Sequence, residues 1–341
     1  MADAGSGLSA DRPLGGPGFE LYERALATIR DRDLIHSEEI VLVAYSGGPD
    51  STCLLDILTR ARNTMAIETV VALVDHGLSD SSEEITAAIA RNVAAAGLDI
   101  HVARAHDLAG PNLHERAREF RYAFFQSIAD QVGATKIATG HTLDDRAETT
   151  LARLIHGAGT SGLAGLRPKE GPRVRPLIDA RRAETRAYCD DCGLGYFDDP
   201  ANEDPRFERA TVRSDVLGPI EARWGDGAIR AIARSVDRLT EDSDALASLA
   251  DRLGRDLVTR DGDVVRIDLE AMRSMPRALR RRVLERAVGR IRDRSAGIEK
   301  VLAALDKPDV RQFGTISIAT GIEVEVEAGV LVLRGIDLSA D

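Results

Sequence analysis

Cysteine is scarce in this chain of 341 residues: there are three, Cys53, Cys189 and Cys192. An odd, low count fits a reducing cytoplasm better than a disulfide framework. Long apolar runs are missing too, so no segment is expected to span a bilayer. Residues 1–18, rich in Gly, Ala, Pro and Ser, lack a basic start followed by an apolar core. No ordinary secretory signal is expected there, and a flexible extension is. No internal repeat is visible. Nor is there an excess of positive charge: 45 Lys and Arg face 56 Asp and Glu, a net charge of −11. Taken alone, that balance argues against nucleic-acid binding. The deficit is uneven, however, because residues 267–300 hold ten basic and five acidic side chains, with Arg280, Arg281 and Arg282 adjacent. A local basic face binds phosphates even on an acidic protein; a solvated helix face explains the same run about equally well.

The first two-thirds of the chain alternates strand-like and helix-like segments. Ile40 to Tyr45 (IVLVAY) is a continuous apolar run, as expected of a strand buried on both faces. Val70–Val74, Ile100–Ala103 and Lys136–Thr139 repeat the pattern, with helical spacing in Thr52–Arg62, Ile85–Ala96, Leu113–Val132 and Leu143–His156. Repeated β-then-α units predict an α/β fold, a parallel sheet with helices on both faces. After a glycine-rich break and a further helix at Arg182–Cys192, the pattern changes near Pro219 and becomes mainly helical. A hairpin is expected at Val258–Ile267 with Asp261-Gly262 as its turn, and a half-exposed strand where Glu323–Glu327 alternates. The expected organisation is a doubly wound domain over 19–218 and a smaller, mainly helical domain with a short β tail over 219–341.

Ser46-Gly47-Gly48-Pro49-Asp50-Ser51 sits between the first buried strand and a helix. Two glycines let the backbone turn tightly and approach an anion without Cβ obstruction. With Ser51 opening the helix, unpaired N–H groups and the dipole favour a phosphate there. The Ser46 and Ser51 hydroxyls add donors, and Asp50 beside a polyphosphate makes sense as a holder of Mg²⁺. The lysine of a Walker A loop is missing, as is a G-x-G-x-x-G pattern. Downstream, Asp145 and Glu148 are three apart and so share a helix face, suited to orienting an amine or holding a metal; helix N-terminal acids that merely complement the dipole are the plainer explanation. Asp144 is expected to be the structural cap. His141 is a candidate ligand-facing group. Arg118, Arg121, Arg209 and Arg213 are suited to phosphate or RNA backbone, or to ion pairs with nearby acids, and Tyr122 to core packing.

The SGGPDS loop resembles the SGGxDS loop of the PP-loop ATP pyrophosphatases. Val74-Asp75-His76-Gly77-Leu78 resembles the VDHGL segment of tRNA(Ile)-lysidine synthetases. Asn112, Glu115, Arg118, Arg121 and Tyr122 are similar to a helix of that family, and His141 to Thr149 to its H-x-x-D-D-x-x-E-T signature. Gly157–Leu163, Arg175-Pro176-Leu177, and Asp199, Asn202, Arg209 and Arg213 extend the likeness over about residues 40–217. His156, Arg146, Ala201 and Ala210 depart from it, standing where Arg, Gln, Ser and Asn are usual.

The resemblance implies a HUP-like doubly wound domain and cleavage of ATP between its α- and β-phosphates. It assigns ATP or pyrophosphate to Ser46, Gly47, Gly48, Pro49, Asp50, Ser51, Asp75, His76 and Arg118, with Mg²⁺ at Asp50. Catalysis falls to Asp145, Glu148 and Asp50, and substrate binding to His141, Arg209, Arg213, Arg280, Arg281 and Arg282. The implied substrates are free L-lysine and the isoleucine tRNA with a CAU anticodon, whose wobble cytidine is adenylated and then joined to lysine. No membrane partner is implied, and assembly stays open, a homodimer being one option. Two alternatives remain: a tRNA thiolation enzyme of the same superfamily, for which Cys189 and Cys192 are too few to close a zinc site, and a non-catalytic adenine-nucleotide-binding protein.

Overall fold

The computed structural model describes residues 13–75, 82–105, 113–198, 208–289, 294–308 and 313–335. The chain divides after Asp237 into two compact units.

The first unit is built on a six-stranded sheet of β1 (Ile40–Tyr45), β2 (Glu68–Asp75), β3 (Asp99–Arg104), β4 (Lys136–Thr139), β5 (Lys169–Glu170) and β6 (Arg173–Val174). Their order is β3-β2-β1-β4-β6-β5, all pairs parallel except β5 with β6. Helices are α1 (Gly16–Asp31), α2 (Pro49–Met65), α3 (Ser82–Ala95), α4 (Leu113–Val132), α5 (Leu143–Ile155), α6 (Thr160–Leu163), α7 (Arg182–Asp191), α8 (Glu208–Thr211), α9 (Gly218–Trp224) and the start of α10 (Asp226–Leu257). The expected α/β architecture with helices on both faces is present. Val41, Val43 and Tyr45 point to one face and pack with α1, α2 and α7, while Leu42, Val70, Ala72 and Ile137 pack with Phe125, Ile128 and Ala129 of α4 on the other. That two-sided burial explains why IVLVAY is continuously apolar instead of alternating.

Three boundaries differ from expectation. Gly16–Gly18, placed by composition in a loose extension, form the first turn of α1, where Pro17 lies at a position that needs no N–H; residues 1–12 lie outside the described residues. The helix after the phosphate loop opens at Pro49 with Gly48 as N-cap, before Ser51. Finally, the sequence pattern changes near 218, yet Leu217, Ile220, Ile229, Ile232 and Ala233 pack on Leu143 and Ala147 of α5, so the first unit runs on to Asp237.

The second unit contains the end of α10, then α11 (Leu269–Ser274), α12 (Arg277–Val288) and α13 (Arg294–Leu305). Strands β7 (Val258–Asp261) and β8 (Val264–Asp268) form the hairpin, and β9 (Ile316–Ala319), β10 (Ile322–Glu327) and β11 (Val330–Arg334) the tail. They join in one antiparallel sheet, β7-β8-β11-β10-β9, through pairing of β8 with β11. The hairpin turn is Gly262-Asp263, one residue later than expected, because Asp261 pairs with Val264 and Gly262 has a positive φ of 58°. Glycine at the first central position is what a type II′ turn requires. Among the described residues no helix is long and apolar enough to cross a membrane.

Candidate active site

The Ser46–Ser51 loop leaves β1 at the carboxyl edge of the sheet, where ligands bind in open α/β folds. Gly47 has φ of 77°, which favours glycine, and a Cβ there would lie 2.6 Å from Ile89 Cδ1, so that side chain would also have to shift. The two hydroxyls expected to donate to phosphate are engaged within the loop. Ser51 Oγ accepts from Ser46 N at 3.2 Å and donates to Gly48 O at 3.0 Å, and the two Oγ atoms lie 3.1 Å apart. These bonds shape the turn and hold open the backbone amides that begin α2. Phe197 N donates to Gly47 O at 2.8 Å, fastening the loop from outside. A Cβ on Gly140 would lie 3.0 Å from the Asp50 carbonyl and Ser51 N, so the β4–α5 connection packs backbone against backbone on the loop. Asp75 ends β2, aligned with β1 in the register Tyr45↔Leu73, and is buried at the same edge with Arg104 Nε 3.5 Å away.

At the start of α5 the cap differs from expectation. Thr142 is the N-cap and Asp145, not Asp144, is its capping-box partner: Asp145 Oδ2 accepts from Thr142 N at 2.8 Å and Thr142 Oγ1 at 2.9 Å. Asp144 instead reaches across to α7, accepting from Arg182 N at 2.8 Å and from the Arg181 guanidinium at 3.0 Å. The free oxygen of Asp145, Oδ1, faces Arg182 Nη2 at 3.1 Å, and Arg182 Nη1 donates to Glu148 Oε1 at 3.0 Å. Arg182 Nε is 3.7 Å from Asp50 Oδ2, and Thr185 Oγ1 donates to Asp50 Oδ1. Arg213 closes the group, donating from Nε to Glu148 Oε1 at 2.7 Å and from Nη2 to Oε2 at 3.3 Å. It projects from a π-helical turn, Val212–Leu217, that follows α8, the kind of local widening often found at functional sites.

The structure therefore brings Asp50, Asp145, Glu148 and Arg213 together. Arg182, which the sequence reading passed over as an ordinary helix residue, lies among them. One signal was available: Arg181 and Arg182 stand at the N-terminus of α7, where the helix dipole disfavours cations, so something else must hold them. His141 is half-buried beside the group, its Nδ1 2.8 Å from Thr139 Oγ1. Arg209 donates to Thr149 Oγ1 of α5. Arg118 lies elsewhere in its contacts, with its guanidinium 4.8 Å from the centre of the Tyr122 ring, which Arg121 and Arg173 also flank at 5.7 and 4.9 Å. His76, Asn112, Asp199 and Asn202 lie outside the described residues. Arg280, Arg281 and Arg282 belong to the second unit. Arg280 pairs with Asp306 at 2.9 Å, Arg281 with Glu299 at 2.7 Å and Arg282 with Glu285 at 3.2 Å, so the triplet is not a uniform free cationic face.

The electrostatics divide the cluster into two ends. Burial, reinforced by the charges of Asp145 and Asp144 and opposed by the Thr185 hydrogen bond and Arg182, pushes the Asp50 carboxyl up to about 6. Burial alone would also raise Asp145, but the Arg182 guanidinium, then His141 and Arg209, hold it well below the usual carboxylate range. Burial, with Arg175, Arg209 and Arg121, draws His141 down to about 4 against the pull of Asp145, so its ring is neutral at physiological pH. Asp50 is raised chiefly by burial and has Arg182 Nε only at 3.7 Å, whereas Asp145 holds Arg182 Nη2 at 3.1 Å. A divalent cation would supply further charge at Asp50, and one protein carboxylate suffices for Mg²⁺ when phosphates and waters complete its shell. The thiols offer no reactive group: Cys53, Cys189 and Cys192 are free, buried and raised in pKa, chiefly by burial.

Comparison with known proteins agrees with this geometry. The family model described as a PP-loop domain matches residues 21–220. The tRNA(Ile)-lysidine synthase of Leifsonia xyli is 38% identical over 73% of this chain and 76% of its own length. Those of Mycolicibacterium paratuberculosis and Dehalococcoides mccartyi are 40% and 32% identical, over 62% and 86% of this chain and 63% and 66% of theirs. Among solved structures, the U34-tRNA thiolase NcsA from Methanococcus maripaludis, with its [4Fe-4S] cluster, superposes with a TM-score of 0.56 at 19% identity, over 65% of this chain and 78% of that one. At that identity the likeness speaks for the fold alone. The matched length, the phosphate loop and the carboxylate helix place the chain in one group: it belongs to the tRNA(Ile)-lysidine synthase family of PP-loop enzymes.

Proposed function

We propose that this chain joins lysine to the 2-position of the wobble cytidine of the isoleucine tRNA with a CAU anticodon, consuming ATP and releasing AMP and pyrophosphate. The observation that carries the reading is the division of one carboxylate cluster into two ends, Asp50 at the phosphate loop and Asp145 with Glu148 three residues apart on α5. In the first half-reaction the cytosine 2-carbonyl oxygen attacks the α-phosphorus of ATP and the bond to the β-phosphate oxygen breaks. The Ser46–Ser51 backbone amides receive the departing pyrophosphate, because preorganised donors stabilise developing charge without reorganising. Asp50 would hold Mg²⁺, which supplies further charge neutralisation on that leaving group.

In the second half-reaction Asp145 and Glu148 orient the ε-ammonium of lysine and one of them accepts its proton. The freed amine attacks C2 of the adenylated base and AMP leaves, carrying the former carbonyl oxygen. His141, neutral at this pH, lines the base side, and Arg209 and Arg213 face the RNA or AMP phosphate. In the second unit Arg281, from the adjacent triplet, and Arg286, the most exposed of the α12 cations with a described ion pair, are the ones offered to the tRNA backbone. We place Asp75, His76 and Arg118 with the nucleotide, and the reaction in the cytoplasm.

The buried thiols speak against the thiolation alternative, since a thiolate is the reactive form and burial suppresses it. The test is incubation of the full chain with ATP, Mg²⁺, labelled lysine and total tRNA, followed by nucleoside analysis. Label in a modified cytidine with stoichiometric AMP is expected; accumulation of ADP, or sulfur incorporation without lysine, defeats the proposal. Asp50→Asn should lower pyrophosphate release by about 100-fold or more while tRNA binding stays within about twofold.

A further inference from the structure

We infer that Arg182 is a positioning residue that couples the two ends of the site, occupying the amine-binding oxygens of Asp145 and Glu148 until a polyphosphate at the Ser46–Ser51 loop draws its guanidinium away. The inference rests on the reading above in which those two carboxylates receive the lysine amine.

The stereochemistry leaves little room for another arrangement. Oδ2 of Asp145 is committed to Thr142, so Oδ1 is the oxygen an ammonium must use, and Arg182 Nη2 sits 3.1 Å from it. Glu148 Oε1 already accepts from both Arg182 at 3.0 Å and Arg213 at 2.7 Å. Arg213 reaches both oxygens of Glu148, so that carboxylate keeps a partner when Arg182 leaves. Asp145 does not: its remaining donors are the backbone and hydroxyl of Thr142. A lysine ammonium is therefore the natural replacement for Arg182, like for like in charge.

Arg182 can also go somewhere useful. Its Nε lies 3.7 Å from Asp50 Oδ2, and Asp50 is the fifth residue of the phosphate loop. One planar group thus already spans both ends of the site. A nucleotide triphosphate carries more negative charge than the single Mg²⁺ at Asp50 would neutralise, so it adds net negative charge at the Asp50 end and none at the Asp145 end, which shifts the most favourable place for a guanidinium toward the phosphates. The move needs side-chain rotation only, because Arg182 stands at the first position of α7 and its own helix dipole gives it no hold there. In this arrangement the amine site opens once nucleotide is present, which matches chemistry in which the base is activated before the amine attacks.

Calorimetric titration of free L-lysine into the full chain tests the coupling, with and without Mg²⁺ and α,β-methylene-ATP, an analogue that cannot be cleaved between those phosphates. Wild-type protein should bind lysine about tenfold more tightly with the analogue, a middling value for coupled sites. By reciprocity lysine should tighten analogue binding by the same factor. Arg182→Ala should bind lysine without the analogue as tightly as the wild type does with it, and show no coupling. Equal wild-type affinity in both states, or intact coupling in Arg182→Ala, overturns the inference. So does weaker lysine binding by Arg182→Ala in both states, the mark of a residue that merely supports the carboxylates. Where Arg182→Ala fails to fold, Arg182→Lys carries the test, since an ammonium reaches fewer of the three carboxylates at once: reduced coupling supports the inference and unchanged coupling overturns it. Absence of lysine binding by the wild type in either state is a different failure; it removes the amine site itself and the inference with it.

Discussion

In the first unit Arg182 and Arg213 reach Glu148 from two separate stretches of chain, and Arg182 reaches on to Asp145 and Asp50. In the second, Arg277 and Arg281 of α12 share Glu299 of α13, and Arg277 and Arg280 share Asp306 just beyond it. Both are arginine–carboxylate networks, yet they serve different ends. The Arg277 and Arg281 pairs of α12 are half-exposed, with Arg281 and Glu299 side chains at 40% and 47%, so each is worth about 0–1 kcal/mol. Glu148 is 1% exposed, and stripping a buried carboxylate of its partners costs about 3–5 kcal/mol. The run of arginines, conspicuous by its count, links α12 to α13 and to Asp306 through Arg281 and Arg280. The isolated arginines carry the larger energetic weight, because the Glu148 carboxylate they share is buried.

Three measurements would break or sharpen that contrast. The largest effect is expected from Glu148→Gln, which keeps the shape and removes the charge. Pyrophosphate release should stay within about threefold while the lysine KM rises about 100-fold, the range for truncating one partner of a buried charge pair. An equal fall in both half-reactions would show that the cluster does not have two separable ends.

A middle-sized effect concerns acid. The unfolded chain takes up a proton at His141 near its ordinary value of 6.5, whereas the folded chain declines it until about 4. The contribution of His141 to stability is therefore fully present above pH 6.5 and is lost as pH falls toward 4, since the unfolded state then binds more protons there. The melting temperature should fall between pH 7 and pH 5 by about 2–4 °C more in wild type than in His141→Asn. Equal pH slopes would show that the ring is not held neutral.

The smallest effect belongs to Arg281→Ala. Its stability cost should stay below about 1 kcal/mol, and the slope of log tRNA affinity against log salt should shrink by about one. An unchanged slope would leave the whole α12 network with a helix-stapling role only.

Much of this was legible from the chain alone. The buried strand before a double glycine locates the β1–α2 turn, and the three-residue spacing of Asp145 and Glu148 puts both on one side of α5. What escaped were relations fixed by tertiary packing. Arg182 meets Glu148 across 34 residues and Asp50 across more than 130, distances no local pattern reports. That Asp145 and not Asp144 joins the capping box depends on which side chain can turn back to Thr142 once α7 has docked against the other. The hairpin of β7 and β8 and the strand at Glu323–Glu327 are legible as β, while β9 and β11 are covered only by the general expectation of a short β tail. Their union into one sheet depends on pairing Val264–Asp268 with Val330–Arg334, far apart along the chain.

The three buried sulfhydryls carry a practical consequence. Cys53 and Cys189 pack in the core beneath the phosphate loop, with Cys189 Sγ donating to Pro49 O at 3.3 Å, and Cys192 sits at the end of the same helix. A thiol-specific label can reach them only when that part of the first unit opens, so its rate of uptake counts local openings beneath the nucleotide loop. Any ligand that closes the loop would then register as slower labelling, with no fluorophore, tag or substitution added to the native chain.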